Sequence, residues 1–109
     1  MTQPTLGQVI EKLKSLPPET VIRNGFDFGA SYRGYYNEIA FYPLENATAG
    51  EMLKHALKMD GKEMLGYMGG GYLATLETLC WISEYGKTDD EKNPRLTLEA
   101  MEEWGRREP

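Results

Sequence analysis

Apolar residues near the N-terminus recur at helical spacing. The stripe follows Thr5, which forms a capping-box pattern with Gln8 three residues later. Its members are Leu6, Val9, Ile10, Leu13 and Leu16. Pro17 and Pro18 follow directly, and proline does not continue a helix interior. The pattern therefore predicts a first helix over about residues 6–16.

The same signals predict two more helices. Thr48 and Glu51 form a second capping box, and Gly61 supplies a left-handed end after Asp60. The predicted buried stripe between them consists of Met52, Leu53, Ala56 and Leu57. Near the C-terminus, Thr97 precedes three apolar residues spaced three apart, Leu98, Met101 and Trp104. This spacing predicts a short third helix.

The strand signals between these helices are shorter. Residues 20–24 predict one strand, and residues 38–43 predict another with Ile39 and Phe41 on one face. The intervening residues 26–37 are rich in Gly, Asp, Asn and Ser. This composition predicts a loop.

Further strands are predicted after the second helix. Residues 62–67 predict a strand that runs into a run of glycines. Residues 72–85 alternate, with one face formed by Leu79, Trp81 and Ser83 and the other by Thr78, Cys80 and Ile82. This alternation predicts one or two strands that are buried on both sides over part of their length.

Strands that are adjacent in sequence favour antiparallel pairing. We therefore predict an α+β fold: a mostly antiparallel sheet of four to five strands, two helices packed on it and a short C-terminal helix. The single domain is predicted over residues 1–86, a polar linker over residues 87–95 and a C-terminal helical segment over residues 96–109. We expect this segment to dock on the domain or on a second copy, and we therefore expect a homo-oligomer.

The charge and composition limit the partners. The 109 residues carry a net charge of −5, with 17 acidic and 12 basic side chains. Duplex nucleic acid is not expected as a partner, because nonspecific binding needs a basic surface. Membrane insertion is not expected either, because no apolar run approaches the ~20 residues of a membrane span. No secretory signal is visible and the chain has one cysteine, so we expect a cytoplasmic protein.

Several catalytic chemistries lack the residues they need. His55 is the only histidine and Cys80 the only cysteine, so one chain cannot assemble a zinc site of the usual composition. We interpret Cys80 as a buried small hydrophobe. The sequence has neither a nucleophile elbow nor a phosphate loop. We expect no catalytic residue, metal or cofactor, unless glutamates on or beside strands act together: Glu38, Glu77 and Glu84.

Two clusters of tyrosine and glycine offer binding chemistry. The first covers residues 31–36 (Ser-Tyr-Arg-Gly-Tyr-Tyr) and the second residues 66–72 (Gly-Tyr-Met-Gly-Gly-Gly-Tyr). Tyrosine offers a face for stacking, glycine lets the backbone approach a ligand, and arginine offers a fork for an anion. The predicted ligand-binding residues are Tyr32, Arg33, Gly34, Tyr35, Tyr36, Tyr67, Gly69, Gly70 and Gly71. Alternatively, the tyrosines pack at sheet edges and the glycines form hairpin turns.

The order and spacing of these motifs resemble small uncharacterised proteins encoded by tailed phages and prophages. The resemblance covers about residues 20–86 and is carried by both clusters, by Ala40 and Phe41, and by the run from Trp81 to Gly86. In that group a lysine often stands where this chain has Met68. The resemblance implies a phage origin and a small accessory protein directed against host defences.

Together these observations predict a non-enzymatic, cytoplasmic phage or prophage accessory protein that binds and sequesters a small anionic, nucleotide-derived ligand. The ligand would be a host defence signal. Arg33 would pair with its phosphate, tyrosines would stack on its base, and Gly69 to Gly71 would present backbone donors. The alternative is an acidic inhibitor that binds a host nuclease or other defence protein. A third alternative is a small glutamate-dependent hydrolase.

Overall fold

The computed structural model describes residues 3–31, 38–65, 71–82 and 96–105. In chain order, the elements are α1 (Leu6–Lys14), β1 (Val21–Ser31), β2 (Ile39–Thr48), α2 (Ala49–Met59), β3 (Glu63–Leu65), β4 (Gly71–Leu73), β5 (Cys80–Ile82) and α3 (Leu98–Glu102). The predicted α+β class is confirmed, with five strands and three helices in the described part of the chain.

The strands form two small sheets. One sheet has three strands in the order β1-β2-β5, and the other pairs β3 with β4. The β1–β2 and β3–β4 pairs are antiparallel, whereas β5 runs parallel to β2. Parallel neighbours need a long connection, and residues 49–79 supply it through α2 and the second sheet.

The first strand is much longer than its sequence pattern predicts. Residues 26–31 were expected to belong to a loop, but they continue β1 to Ser31. Gly29 explains the difference, because a Cβ atom there would lie 3.1 Å from the side chains of Ile39, Phe41 and Met59. Glycine at position 29 therefore allows close packing of the strand and does not mark a turn. The rest of the predicted loop, residues 32–37, lies outside the described residues.

The two long helices begin where their capping signals predict. The Thr5 hydroxyl oxygen accepts from the Gln8 N–H at 3.2 Å, and the Thr48 hydroxyl oxygen accepts from the Glu51 N–H at 3.3 Å. The predicted buried stripe of the second helix was wrong at one position, because Leu57 is 47% exposed. The buried side of α2 instead carries Ala49, Met52, Ala56 and Met59. None of the described helices is long and apolar enough to cross a membrane.

The core joins both sheets, all three helices and the C-terminal segment. Phe26 stacks on Phe41 with ring centroids 4.1 Å apart, and Trp104 lies 6.3 Å from Phe26 in a tilted arrangement. Leu96 and Met101 are also buried in this cluster. The C-terminal apolar residues therefore pack on their own domain, which was one of the two expected docking modes. The predicted linker, residues 87–95, lies outside the described residues.

Candidate functional site

The structure describes the ends of both tyrosine-glycine clusters rather than their centres. Of the predicted ligand-binding residues, Gly71 alone is described, as the exposed first residue of β4. The others lie outside the described residues: Tyr32, Arg33, Gly34, Tyr35, Tyr36, Tyr67, Gly69 and Gly70. The residues that flank the clusters therefore define the described geometry of the candidate site.

Each cluster connects two antiparallel neighbours. Ser31 is paired with Ile39 across β1 and β2, and Leu65 is paired with Gly71 across β3 and β4. Each cluster therefore lies between the two strands of a hairpin, and residues 32–37 and 66–70 themselves lie outside the described residues. A hairpin position does not prevent a ligand-binding role, because binding residues are often carried on loops that a rigid sheet positions.

A hydrogen bond joins the flanks of the two clusters. The Tyr72 hydroxyl donates to the backbone carbonyl oxygen of Glu38 at 2.9 Å. It also lies 3.5 Å from the Met64 sulfur. Glu38 lies two residues after the first cluster and Tyr72 ends the second, so the chain just beyond the first cluster is hydrogen-bonded to the end of the second. We call this position, formed by Glu38, Met64, Tyr72 and Trp81, the anchor corner.

The Glu38 side chain is held from a second direction. The indole Nε1 of Trp81 donates to Glu38 Oε1 at 2.6 Å, a charge-assisted hydrogen bond. Trp81 reaches this position because β5 pairs with β2 here, with Ile39 opposite Cys80 and Ala40 opposite Trp81. The backbone and the carboxylate of Glu38 are therefore both fixed, each by an aromatic side chain from a different sheet.

Cys80 pairs with Ile39, the residue after Glu38, and is fully buried, as its alternating pattern predicts. Burial raises the pKa of its thiol, and the nearby Glu38 carboxylate raises the pKa further. Both effects oppose formation of the thiolate, which is the nucleophilic form of cysteine. Cys80 is therefore a packing residue rather than a reactive one.

A cavity of about 480 Å³ opens beside the second sheet. Its described lining residues are Glu63, Met64, Gly71, Tyr72 and Leu73. This volume lies within the range of small-molecule sites. The tyrosine ring and the methionine thioether provide a wall suited to a planar apolar group. The described lining contains one carboxylate and no cation, so the charge of an anion would have to be met by another part of the chain.

The glutamates considered for catalysis do not form a described pair. The carboxylate of Glu38 is engaged by Trp81. Glu77 is exposed, and its N–H donates to the Thr75 hydroxyl oxygen in the turn before β5. Glu84 lies outside the described residues. Within the described ranges, no group of three or more His, Cys, Asp and Glu side chains could hold a metal ion.

Sequence reasoning did not select Trp81, Tyr72, Met64 or Glu63 for the site. Tyr72 belongs to the second cluster and Trp81 to the phage-like motif, so both carried a signal that could have identified them. Met64 and Glu63 carried none, because a short strand does not indicate which of its side chains line a cavity. Comparison with protein-family models, curated proteins and solved structures found no match to this chain.

Proposed function

We propose that this protein binds and sequesters a small anionic, nucleotide-derived ligand at the anchor corner. The observation that carries this proposal is the 2.9 Å hydrogen bond from the Tyr72 hydroxyl to the Glu38 carbonyl oxygen. It connects Glu38, two residues after the first tyrosine-glycine cluster, to the end of the second cluster beside a cavity of about 480 Å³. We propose that the tyrosines, the arginine and the glycines of the two clusters act together beside this cavity.

The roles within the site follow from residue chemistry. Tyr72 and Met64 line the cavity and suit the flat face of a base. We propose that Arg33 binds the phosphate, because the described lining has no cation and a guanidinium can bind phosphate through two hydrogen bonds. Tyr32, Tyr35, Tyr36 and Tyr67 would add stacking surfaces. Gly34 and Gly69 to Gly71 would allow the backbone to approach the ligand.

The biological setting rests on the resemblance to phage and prophage proteins. We propose a cytoplasmic accessory protein that removes a host defence signal from solution. Sequestration needs no catalytic group, and the chemistry of Cys80 and Glu38 described above agrees with a non-enzymatic role. The proposal that the protein binds a ligand does not depend on a phage origin, so ligand binding can be tested separately.

One alternative has an observation in its favour. The net charge of −5 suits an inhibitor that binds a basic host nuclease or defence effector through its acidic surface. The hydrolase alternative has less support, because Glu38 already accepts a hydrogen bond from Trp81 and no second carboxylate is described beside it.

Native mass spectrometry of the protein purified from infected cells tests the proposal most directly. We expect a retained nucleotide-sized ligand. A melting experiment with nucleoside mono-, di- and triphosphates and cyclic dinucleotides as probes would complement it. We expect at least one probe to raise the melting temperature at low and high salt. Salt-sensitive association with a basic protein, without any nucleotide effect, would instead support the inhibitor.

A matched pair of variants connects that effect to the site. Arg33→Ala should reduce the increase in melting temperature caused by the active probe, because it weakens binding. Lys54→Ala removes an equal charge from an exposed position of α2 and should leave the increase intact. Equal loss in both variants would show that the probe responds to overall charge rather than to Arg33.

A further inference from the structure

The cavity beside the second sheet has one charged side chain in its described lining, that of Glu63. Glu63 is exposed, and its carboxylate has no hydrogen-bond or ion-pair partner among the described residues. The Glu38 carboxylate, by contrast, accepts a hydrogen bond from Trp81. An ionised carboxylate only accepts hydrogen bonds, and its two oxygen atoms lie side by side. Glu63 is therefore available to a ligand group that donates two parallel hydrogen bonds.

The lining also contains a glycine that the described fold does not require. Among the described residues, the nearest atom to a Cβ at Gly71 would be the Met64 carbonyl oxygen at 3.6 Å, an ordinary contact. A Cβ at Gly25 would instead lie 2.8 Å from the Cβ of Ala47. Gly71 has no positive φ either. Glycine weakens a strand and often marks a place where a ligand approaches closely, so access to the cavity accounts for Gly71.

Building on the proposed function, on which this assignment rests, we infer that the cavity selects a guanine base. The N1–H and N2–H groups of guanine would donate to the two carboxylate oxygens of Glu63. Among the common bases, guanine alone carries two adjacent N–H donors on one edge. Adenine and cytosine each have a ring-nitrogen acceptor beside the amino group, and uracil has its N–H between two carbonyl oxygens. A carboxylate that faces one of these acceptors loses a hydrogen bond.

Leu73 adds an apolar contact beside the carboxylate. It is paired with Glu63 across β3 and β4, so both side chains lie on the same face, with Cβ atoms about 5 Å apart. Leu73 is 55% exposed. A base whose flat face covers this leucine can turn its edge towards Glu63.

The strand register also gives the bound nucleotide a direction. Glu63 is paired with Leu73 at one end of the small sheet, and Leu65 is paired with Gly71 at the other. The two residues of strand between these pairs span about 7 Å. A carboxylate repels phosphate, so the phosphate end of the ligand lies towards Gly71. This is the end of the sheet that joins the second tyrosine-glycine cluster.

Matched nucleotides test the choice of base. Calorimetric titration would compare GMP with IMP and AMP, and cyclic di-GMP with cyclic di-AMP. We expect a guanine nucleotide to bind at least about tenfold more tightly than its adenine counterpart, the usual effect of a hydrogen bond to a charged group. IMP keeps the N1–H group but lacks the N2 amino group. It should therefore bind with an affinity between those of GMP and AMP.

Glu63→Gln connects this selectivity to the carboxylate. An amide offers one acceptor atom and one donor group, so the ratio of guanine to adenine affinity should fall at least about tenfold. Glu45→Gln removes the same charge from an exposed position of β2 and should leave the ratio unchanged. The compared nucleotides carry the same phosphates, so the ratio reports the base contact rather than the overall charge.

Gly71→Ala tests the direction of the ligand. The described residues leave room for the added methyl group, so the melting temperature should not fall. The affinity for the guanine probe should fall, because the methyl group lies where the ligand approaches. A Gly71→Ala variant that binds like the parent would overturn the inferred direction.

The remaining outcomes separate this inference from the proposed function. Equal or tighter binding of the adenine nucleotides would overturn guanine selection and leave nucleotide binding intact. An unchanged base preference in Glu63→Gln would also overturn it. If no nucleotide of any base binds, both the selection of guanine and the proposed function are wrong.

Discussion

Two stacked aromatic pairs lie close together on β1 and β2, yet one pair is buried and the other is partly exposed. Phe26 and Phe41 are fully buried, with ring centroids 4.1 Å apart. Phe28 and Tyr42 stack at 5.5 Å, and Phe28 remains 54% exposed. Residues 26 and 28 would share a face in a regular strand, but β1 is irregular between Phe26 and Gly29. The irregularity sends one phenylalanine into the core and the next to the surface.

The difference separates residues that hold the fold from residues that are available for contact. The inner pair is completed by Trp104 from the C-terminal segment. The outer pair leaves the large apolar side chain of Phe28 exposed on β1. The anchor corner lies between these extremes, because Tyr72 and Trp81 are half-buried and bind Glu38. Substitutions at the three places should therefore have distinct effects.

Truncation after Gly86 should have the largest effect on stability. It removes Leu96, Met101 and Trp104, all of which are buried in the core. Each of these three large apolar side chains contributes about 2–5 kcal/mol, so the free energy of unfolding should fall by at least about 6 kcal/mol. A domain typically has only about 5–15 kcal/mol in total, so the truncated chain should be largely unfolded. Circular dichroism with thermal melting measures this.

The opposite result would have a clear meaning. A truncated chain of unchanged stability and oligomeric mass would show that these residues are not needed for the core. If such a chain also lost its activity, the acidic tail would become the functional region. The inhibitor alternative would then replace ligand sequestration as the first proposal.

The two phenylalanines of β1 allow a direct test of the comparison. Phe26→Ala should lower the free energy of unfolding by about 3–5 kcal/mol, because it leaves a cavity beneath Phe41 and Trp104. Phe28→Ala makes the same chemical change at an exposed position and should cost less than about 1 kcal/mol. Urea denaturation of both variants measures the difference. Similar losses would show that the outer pair also supports the fold.

Local signals in the sequence predicted the helices well. The Thr5 and Thr48 caps and the apolar stripes depend on residues three or four apart, so a single sequence contains all the information needed. The α+β class followed from the order of these elements. The prediction that Leu57 is buried was wrong. Its spacing fits a helical stripe, but the width of the buried face depends on the elements that pack against the helix.

Contacts between distant residues could not be predicted in this way. The continuation of β1 beyond Gly25 depends on Gly29 packing against Met59 and Phe41, which are 30 and 12 residues away in the sequence. The parallel pairing of β5 with β2 likewise depends on the path of the intervening chain. In the candidate site, Glu38 was identified as a carboxylate near a strand. Its partners Tyr72 and Trp81 are 34 and 43 residues away, and no local pattern links them.

Arg33 should affect ligand binding rather than stability. If Arg33 binds the ligand's phosphate, Arg33→Ala should weaken binding by about 1.5–3 kcal/mol, the usual contribution of a hydrogen bond to a charged group. Arg33→Lys should also weaken it, because an ammonium cannot reproduce the two-point geometry of a guanidinium. Calorimetric titration with the active probe measures the loss, and melting measures stability. A sharp fall in melting temperature with unchanged affinity would make Arg33 a structural residue.

Tyr72→Phe should have a small effect on stability, and it tests whether the anchor corner connects the fold to the site. The substitution keeps the ring and removes the hydroxyl that donates to the Glu38 carbonyl oxygen. The free energy of unfolding should therefore fall by only about 0.5–1.5 kcal/mol, the net contribution of one hydrogen bond. Probe affinity should fall as well, because the end of the second cluster would no longer be held to the chain just after the first cluster. Val21→Ala truncates an exposed side chain of β1 and should leave the affinity unchanged, which makes it a useful control. If Tyr72→Phe lowered stability without changing affinity, the corner would be a purely structural joint, and the ligand-binding proposal would lose the observation that carries it.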